Sequence, residues 1–176
     1  MPEEPDAELL ARFVHGEPNA FEQLYRRYER EVYHWIFRIV RDRAAAEDAL
    51  VEAFWRVHRA RARFDASRSF GAWLRRIATN AALDQLRSLR NHAALPVLEG
   101  DALAMPRDDD TRDVILAAFR TLPPALLVVA RLALVEQLPQ AEIADALGVP
   151  IGTVKSRLFR AQRALRGEIR RLGIER

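Results

Sequence analysis

The chain has 176 residues, enough for one domain or two small ones, and a hydrophobic content of 49% that supports packed cores and excludes global disorder. Its net charge is only +3 but unevenly spread: Arg56 to Arg90 carries +7, Lys155 to Arg176 carries +6 and the remainder −10, a pattern that points to two contacts with a polyanion. No cysteine is present, which excludes disulfides, cysteine-bound zinc and thiol redox chemistry. His15, His34, His58 and His92 show no ligand spacing and no nucleophile is paired with a base, so neither a metal, a cofactor nor catalysis is expected. The longest apolar run, Ala125 to Val135, is broken by Arg131 and too short to span a bilayer. The acidic start (Glu3, Glu4, Asp6, Glu8) lacks a signal-peptide layout, and the reading is a soluble cytoplasmic protein, monomeric when free.

Taken in order, Asp6 to His15 reads as a short helix with Leu9, Leu10 and Phe13 on one face and Gly16 ending it. Asn19 is expected to begin a second helix, with Glu22 completing a capping box. Phe21, Leu24, Tyr25, Tyr28, Val32, Trp35, Ile36 and Ile39 continue it at helical spacing to about Val40, and so many aromatics in one stripe read as core. Asp42 can cap a third helix from about Ala44 to Arg61, containing Leu50, Phe54 and Val57. The pattern breaks from Phe64 to Arg68, where Asp65 and Ser67 are turn or cap residues. A fourth helix from about Ser69 to Arg90 places Phe70, Trp73, Leu74, Ile77 and Ala81 on its apolar side. Residues 1–90 thus form one helical domain.

Periodicity is lost from Asn91 to Thr111. Pro96, Gly100, Pro106 and the run Asp108, Asp109, Asp110 mark residues 91–111 as an acidic flexible linker. Helical pattern resumes near Arg112 with Val114, Ile115, Ala118, Phe119 and Leu122, is interrupted at Pro123 and Pro124, and returns from Leu126 to Val135. Residues 112–176 form the second domain, and the fold class is all-α, with no strong β signal.

The last stretch is AEIADALGVPIGTVKSRLFRAQRAL, Ala141 to Leu165. Ile143, Ala144 and Leu147 make one short apolar helix that Gly148 can stop in the left-handed conformation, and Pro150 suits the first turn of another. From there Val154, Leu158, Ala161 and Leu165 form one stripe, while Lys155, Ser156, Phe159, Arg160 and Arg163 cluster opposite. Two short helices, a glycine turn and a basic second helix make a helix-turn-helix, whose second helix can enter the DNA major groove.

These residues, and GTVKSRLFRA from Gly152 to Ala161 above all, resemble the promoter-reading C-terminal module of bacterial RNA polymerase sigma factors of the extracytoplasmic-function group. The resemblance extends to Ala46–Arg87, which is similar to the segment with which these factors hold polymerase and open the promoter. It implies promoter-specific initiation through core RNA polymerase, with contacts to the β′ coiled-coil and the β flap, promoter DNA as ligand, and an anti-sigma factor as a further partner. Asp48, Glu52, Phe54 and Arg56 match the surface that in the family docks on the β′ coiled-coil, although Val51 stands where members commonly carry Gln. Phe64, Asp65, Ser67, Arg75, Arg76 and Asn80 match the −10 loop and the helix after it, where an unstacked base needs aromatic walls and a few hydrogen-bonding groups. For Asn80 with Asp84, a polar contact at a buried helix edge is the competing reading.

On the last helix the resemblance puts Lys155, Ser156, Phe159 and Arg160 on the −35 element, with Arg157 and Arg163 nearer the phosphates. Cationic side chains donate to guanine O6 and N7, and a phenyl ring rests on a thymine methyl. Pro139 stands where the family often has a serine cap. Ala125 to Val129 is more apolar than the family pattern and reads either as core or as a partner surface. The competing functions are a stand-alone helix-turn-helix regulator and a protein-interaction module. A basic loop aimed at single-stranded DNA separates the sigma factor from both.

Overall fold

A computed structural model describes residues 4–91 and 109–172. All their regular elements are helical, as expected of an all-α chain: α1 (Ala7–Val14), α2 (Pro18–Val40), α3 (Arg43–Ala60), a 3₁₀ turn (Arg61–Arg63), α4 (Phe70–Asn91), α5 (Asp109–Thr121), α6 (Pro124–Ala130), a π turn (Arg131–Val135), α7 (Gln140–Leu147) and α8 (Ile151–Arg171). The chain forms two compact units, Met1–Gln85 and Leu86–Arg176. Of the expected linker, residues 92–108 lie outside the described residues, while Asp109 to Thr111 already belong to α5.

The first unit is organised by capping and aromatic packing. Asp6 and Asp42 each accept a backbone N–H three residues on, from Leu9 and Ala45, both at 2.7 Å. Such a cap contributes about 1 kcal/mol. The second helix starts earlier than its expected Asn19 cap: Pro18 occupies the first turn, where its fixed φ costs nothing, and Glu17 precedes it without a side-chain cap. Asn19 Oδ1 instead accepts from Gln23 Nε2 at 3.2 Å, and Glu22 pairs with Arg26, so no capping box forms.

Phe70, fully buried at the start of α4, meets the rings of Phe13, Tyr28, Phe64 and Trp73 at centroid distances of 5.3–5.7 Å. Further along, Trp35 Nε1 donates to the buried Thr79 hydroxyl at 2.9 Å, and that hydroxyl donates to the Arg75 carbonyl at 2.8 Å. This polar crossing between α2 and α4 is therefore satisfied on both sides.

In the second unit Leu127, Val128, Val129 and Ala130 are buried, so the apolar excess of this segment is chiefly core. The helix expected to run from Leu126 to Val135 changes at Arg131 into a π turn, in which Glu136 N–H reaches back five residues to the Arg131 carbonyl at 3.0 Å. Gln137 follows at φ 54° and Leu138 N–H bonds the Leu132 carbonyl at 2.9 Å, which closes the turn before α7. Pro139 immediately precedes α7, compatible with its missing N–H. Gly148 ends α7 at φ 64°, a left-handed conformation that a Cβ would strain, and Val149 N–H returns to the Ala144 carbonyl at 3.1 Å. Pro150 sits one residue before α8 and its carbonyl accepts from Thr153 N–H at 2.8 Å. Val154, Ala161 and Leu165 are the buried stripe of α8.

The buried Tyr28 gives this fold a pH signature. Burial first, and then the nearby Glu4 charge, push its phenol from 10.0 up to about 12. A proton held more tightly by the folded state supports it fully below pH 10.0, and that support is lost as pH rises toward about 12. Unfolding of the first unit should accordingly become easier across this window, and the decline should be shallower in Tyr28→Phe. Tryptophan fluorescence reads it directly, because Trp35, Trp55 and Trp73 all lie within Met1–Gln85.

Candidate nucleic-acid interface

The helix-turn-helix presents its second helix as the sequence pattern requires. Lys155, Ser156, Phe159, Arg160 and Arg163 are exposed, and Arg157 is half-buried toward the edge of the stripe. Phe159 is 61% exposed, a large apolar ring set among cations. Ser156 Oγ donates to the Thr153 carbonyl at 3.0 Å and Arg160 Nε to the Ser156 carbonyl at 3.3 Å, which lays both side chains along the helix. Ile151, which opens the apolar pattern, is itself 45% exposed in the first turn. Nothing lies within 4 Å of where a Cβ on Gly152 would stand, so the leading end of α8 is open.

In the first unit the six residues matched to the −10 site separate into four groups. Phe64 is not an exposed wall: it is buried, with its ring 5.5 Å from Phe70 and 4.8 Å from Trp73, because these two aromatic neighbours offer it more burial than solvent contact would. It anchors the loop instead of offering a surface. Asp65 and Ser67 are exposed and tied together: the Asp65 carboxylate accepts from Ser67 N–H at 3.0 Å and from its hydroxyl at 2.7 Å, and pairs with Arg68 Nε at 3.4 Å. Arg75 turns toward α2 and stacks over Trp35, 4.8 Å from the ring centroid. Of the six, Arg76 and Asn80, one turn apart on α4, stand exposed on the helix after the loop. Asn80 is therefore not at a buried edge, while Asp84 accepts from Arg56 at 2.8 Å.

The third set, on α3, is also divided. Asp48 and Glu52 are exposed; Asp48 accepts from Gln85 Nε2 at 3.3 Å. Arg56 is held between Glu52, at 2.7 Å, and Asp84. Phe54 does not belong to this surface: it is 3% exposed and packs on Tyr25 and Phe21 at 4.7 and 6.4 Å. The exposed apolar groups are Val51, 69%, and its neighbour one turn on, Trp55, 55%. A signal for Trp55 existed, because α3 buries Ala46, Ala49, Ala53, Phe54 and Val57 and a helix cannot bury every neighbour of such a stripe.

Two sets of exposed basic residues, one on the helix-turn-helix of the second unit and one beside the Asp65–Ser67 loop of the first, coincide with the regions picked out by comparison. Residues 24–92 match the model for Sigma-70 region 2 and residues 112–165 that for Sigma-70 region 4. The sequence is 38% identical over 168 residues to the ECF RNA polymerase sigma factor SigM of Mycobacterium tuberculosis, covering 93% of this chain and 84% of that protein. The chain belongs to the extracytoplasmic-function sigma factors. The RNA polymerase sigma-H factor of Pseudomonas aeruginosa is 30% identical, with 94% of each chain covered. In fold, the chain is similar to CnrH, solved in complex with the cytosolic domain of CnrY, with a TM-score of 0.56, 24% identity and 91% and 94% of the two chains covered.

As a sigma factor the protein acts in promoter-specific transcription initiation with RNA polymerase, a role that is not catalytic. Matches over both units favour this over the stand-alone regulator. Among the described residues no group of acidic or histidine side chains could hold a metal, and no helix is long and apolar enough to cross a membrane.

The Asp65 turn has a measurable acid–base consequence. Hydrogen bonds from Ser67, first the hydroxyl and then the amide, together with Arg68, hold the Asp65 carboxyl below its ordinary 3.8. A carboxylate with a lowered value favours the formed turn above the usual carboxylate range, and loses it only as pH falls through the lowered value. In an NMR titration the Ser67 amide should move with a midpoint below 3.8, and Ser67→Ala should return the Asp65 midpoint toward it.

Proposed function

We propose that this sigma factor reads the −35 element as duplex through α8, holds an exposed −10 base at the loop before α4, and docks on core polymerase through α3. What carries the reading is the sorting of α8: a buried stripe of Val154, Ala161 and Leu165 against an exposed row of Lys155, Ser156, Phe159 and Arg160. In the major groove Lys155 and Arg160 donate to base edges, Phe159 covers a thymine methyl and Ser156 adapts to either partner. Arg157 and Arg163, flanking this row, suit phosphate contacts, which fix register without reading sequence.

At the −10 element Arg76 and Asn80 supply the exposed charge and hydrogen-bonding groups, and the Asp65–Ser67 turn supplies the loop. Phe64 acts indirectly, by anchoring that loop. In this division of labour residues 1–90 serve polymerase and the −10 element, residues 112–176 serve the −35 element, and residues 91–111 join them. On α3 the apolar pair Val51 and Trp55, flanked by Asp48 and Glu52, has the make-up of a docking patch: an aromatic anchor with a polar rim. An anti-sigma factor is a further expected partner, since the Bartonella quintana sigma factor RpoE, similar in fold, is solved with the anti-sigma factor NepR.

Assembled with core polymerase, Lys155→Ala and Arg160→Ala should each weaken specific promoter binding by about 1 to 3 kcal/mol. Unchanged promoter preference in both variants refutes the assigned face. Asn80→Ala should lower permanganate reactivity of −10 thymines more than it lowers duplex affinity, and footprints identical to the wild type remove it from the site. Trp55→Ala should leave the fold intact, as judged by circular dichroism, and cost about 2 kcal/mol or more in core-polymerase affinity; unaltered co-migration with polymerase places the docking surface elsewhere.

A further inference from the structure

The start of α4 is capped from far away in sequence. One carboxylate oxygen of Glu4 accepts from Phe70 N–H at 2.9 Å, and the other from Gly71 N–H at 3.2 Å and from the Ser69 hydroxyl. Ser69 Oγ in turn accepts from Ala72 N–H at 3.1 Å. The three leading N–H groups of the helix are thereby all satisfied, two of them by Glu4. Glu4 is itself held in place: its carbonyl accepts from Arg27 Nη2 at 3.5 Å, and Pro5 beside it is buried. Glu4 stands outside residues 24–92, the span that matches Sigma-70 region 2.

This brace closes a short circuit of fixed points. The loop from Phe64 to Ser69 is anchored at its first residue by the Phe64 ring, is turned on itself by Asp65, whose carbonyl also accepts from Arg68 N–H at 3.0 Å, and is pinned at its last residue by Glu4. Resting on the −10 reading above, we infer that Glu4 is a positioning residue for base capture, holding the exit of this loop and the first turn of α4 in the geometry that the −10 strand meets. Two effects of removing it oppose one another. Loss of a negative charge bares a helix N-terminus and favours DNA phosphate, an effect that salt screens. Loss of the anchor returns backbone freedom to Ser69, which capture must then freeze, and salt does not screen that cost. Glu4 makes two backbone bonds and one to the Ser69 hydroxyl, whereas the charge effect is confined to one exposed carboxylate, so the anchor dominates.

The test uses the full chain assembled with core polymerase on a promoter from which the wild type initiates, with permanganate reactivity and initiation measured on intact and base-substituted −10 elements. Glu4→Ala should lose about tenfold in preference for the intact −10 element, the scale of one freed residue. The loss should persist at high salt while −35 duplex binding and polymerase affinity are unchanged. Glu4→Gln should recover part of it, because its amide oxygen can still accept one N–H. Asp6→Ala removes a neighbouring helix cap without touching α4 and should leave −10 preference intact. Wild-type preference in Glu4→Ala, a salt-sensitive gain in opening, or an equal loss in Asp6→Ala each overturns the inference. Asn80→Ala in the same assay separates the two readings: if it lowers preference and Glu4→Ala does not, only the role of Glu4 falls. If neither does, the −10 site itself falls and Glu4 with it.

Discussion

Packing around the Phe70 ring is the constraint on which the first unit depends. As the first residue of α4 it is where a helix, a loop and two other helices must agree: Phe13 comes from α1, Tyr28 from α2, Phe64 from the loop and Trp73 from α4 itself. A ring touching four others at fixed centroid distances cannot shift without opening voids, and interior packing tolerates few of these. The position of the loop therefore follows from hydrophobic burial, and its polar groups are free to be selected for recognition. Burial costs Phe64 its availability as a stacking surface and gives the loop a fixed root.

A different division operates in the second unit. There the turn between α7 and α8 is set by backbone chemistry, with Gly148 in a left-handed conformation and Pro150 unable to donate, and a buried stripe of Val154, Ala161 and Leu165 fixes the rotation of α8. Every residue between these stripe positions is turned outward or to the edge, so the exposed face of α8 is the complement of the core. The exposed Phe159 is the informative exception to apolar-inside sorting, because an isolated large ring on a polar face gains nothing from folding.

Much of this was legible in the sequence, for identifiable reasons. Asp6 and Asp42 as caps, Gly148 as a stop and the α8 stripe rest on local rules, which hold when the neighbours lie within one helical turn. The departures have causes of two kinds, local backbone constraint and distant packing. Pro18 displaced the expected Asn19 cap because a fixed φ takes the first turn before a side-chain acceptor can. The family pattern places Phe54 and Phe64 on surfaces, and only tertiary packing shows that each ring is enclosed. The π turn at Arg131 changes no apolar spacing that a helical wheel would detect. Glu4 gave no signal at all, since its partners Phe70 and Gly71 lie 66 and 67 residues away.

Lys155 is the sole lysine of the chain, and it stands exposed on the outer row of α8. Guanidinium groups are inert to most acylating reagents, so side-chain amine chemistry has a single address on this molecule. A dye, a tether or an acetyl group delivered that way lands on the exposed row of α8, and acylation erases one cation there while leaving all 27 arginines untouched. The molecule thus arrives with a site-selective chemical handle on α8, with no engineering of the sequence.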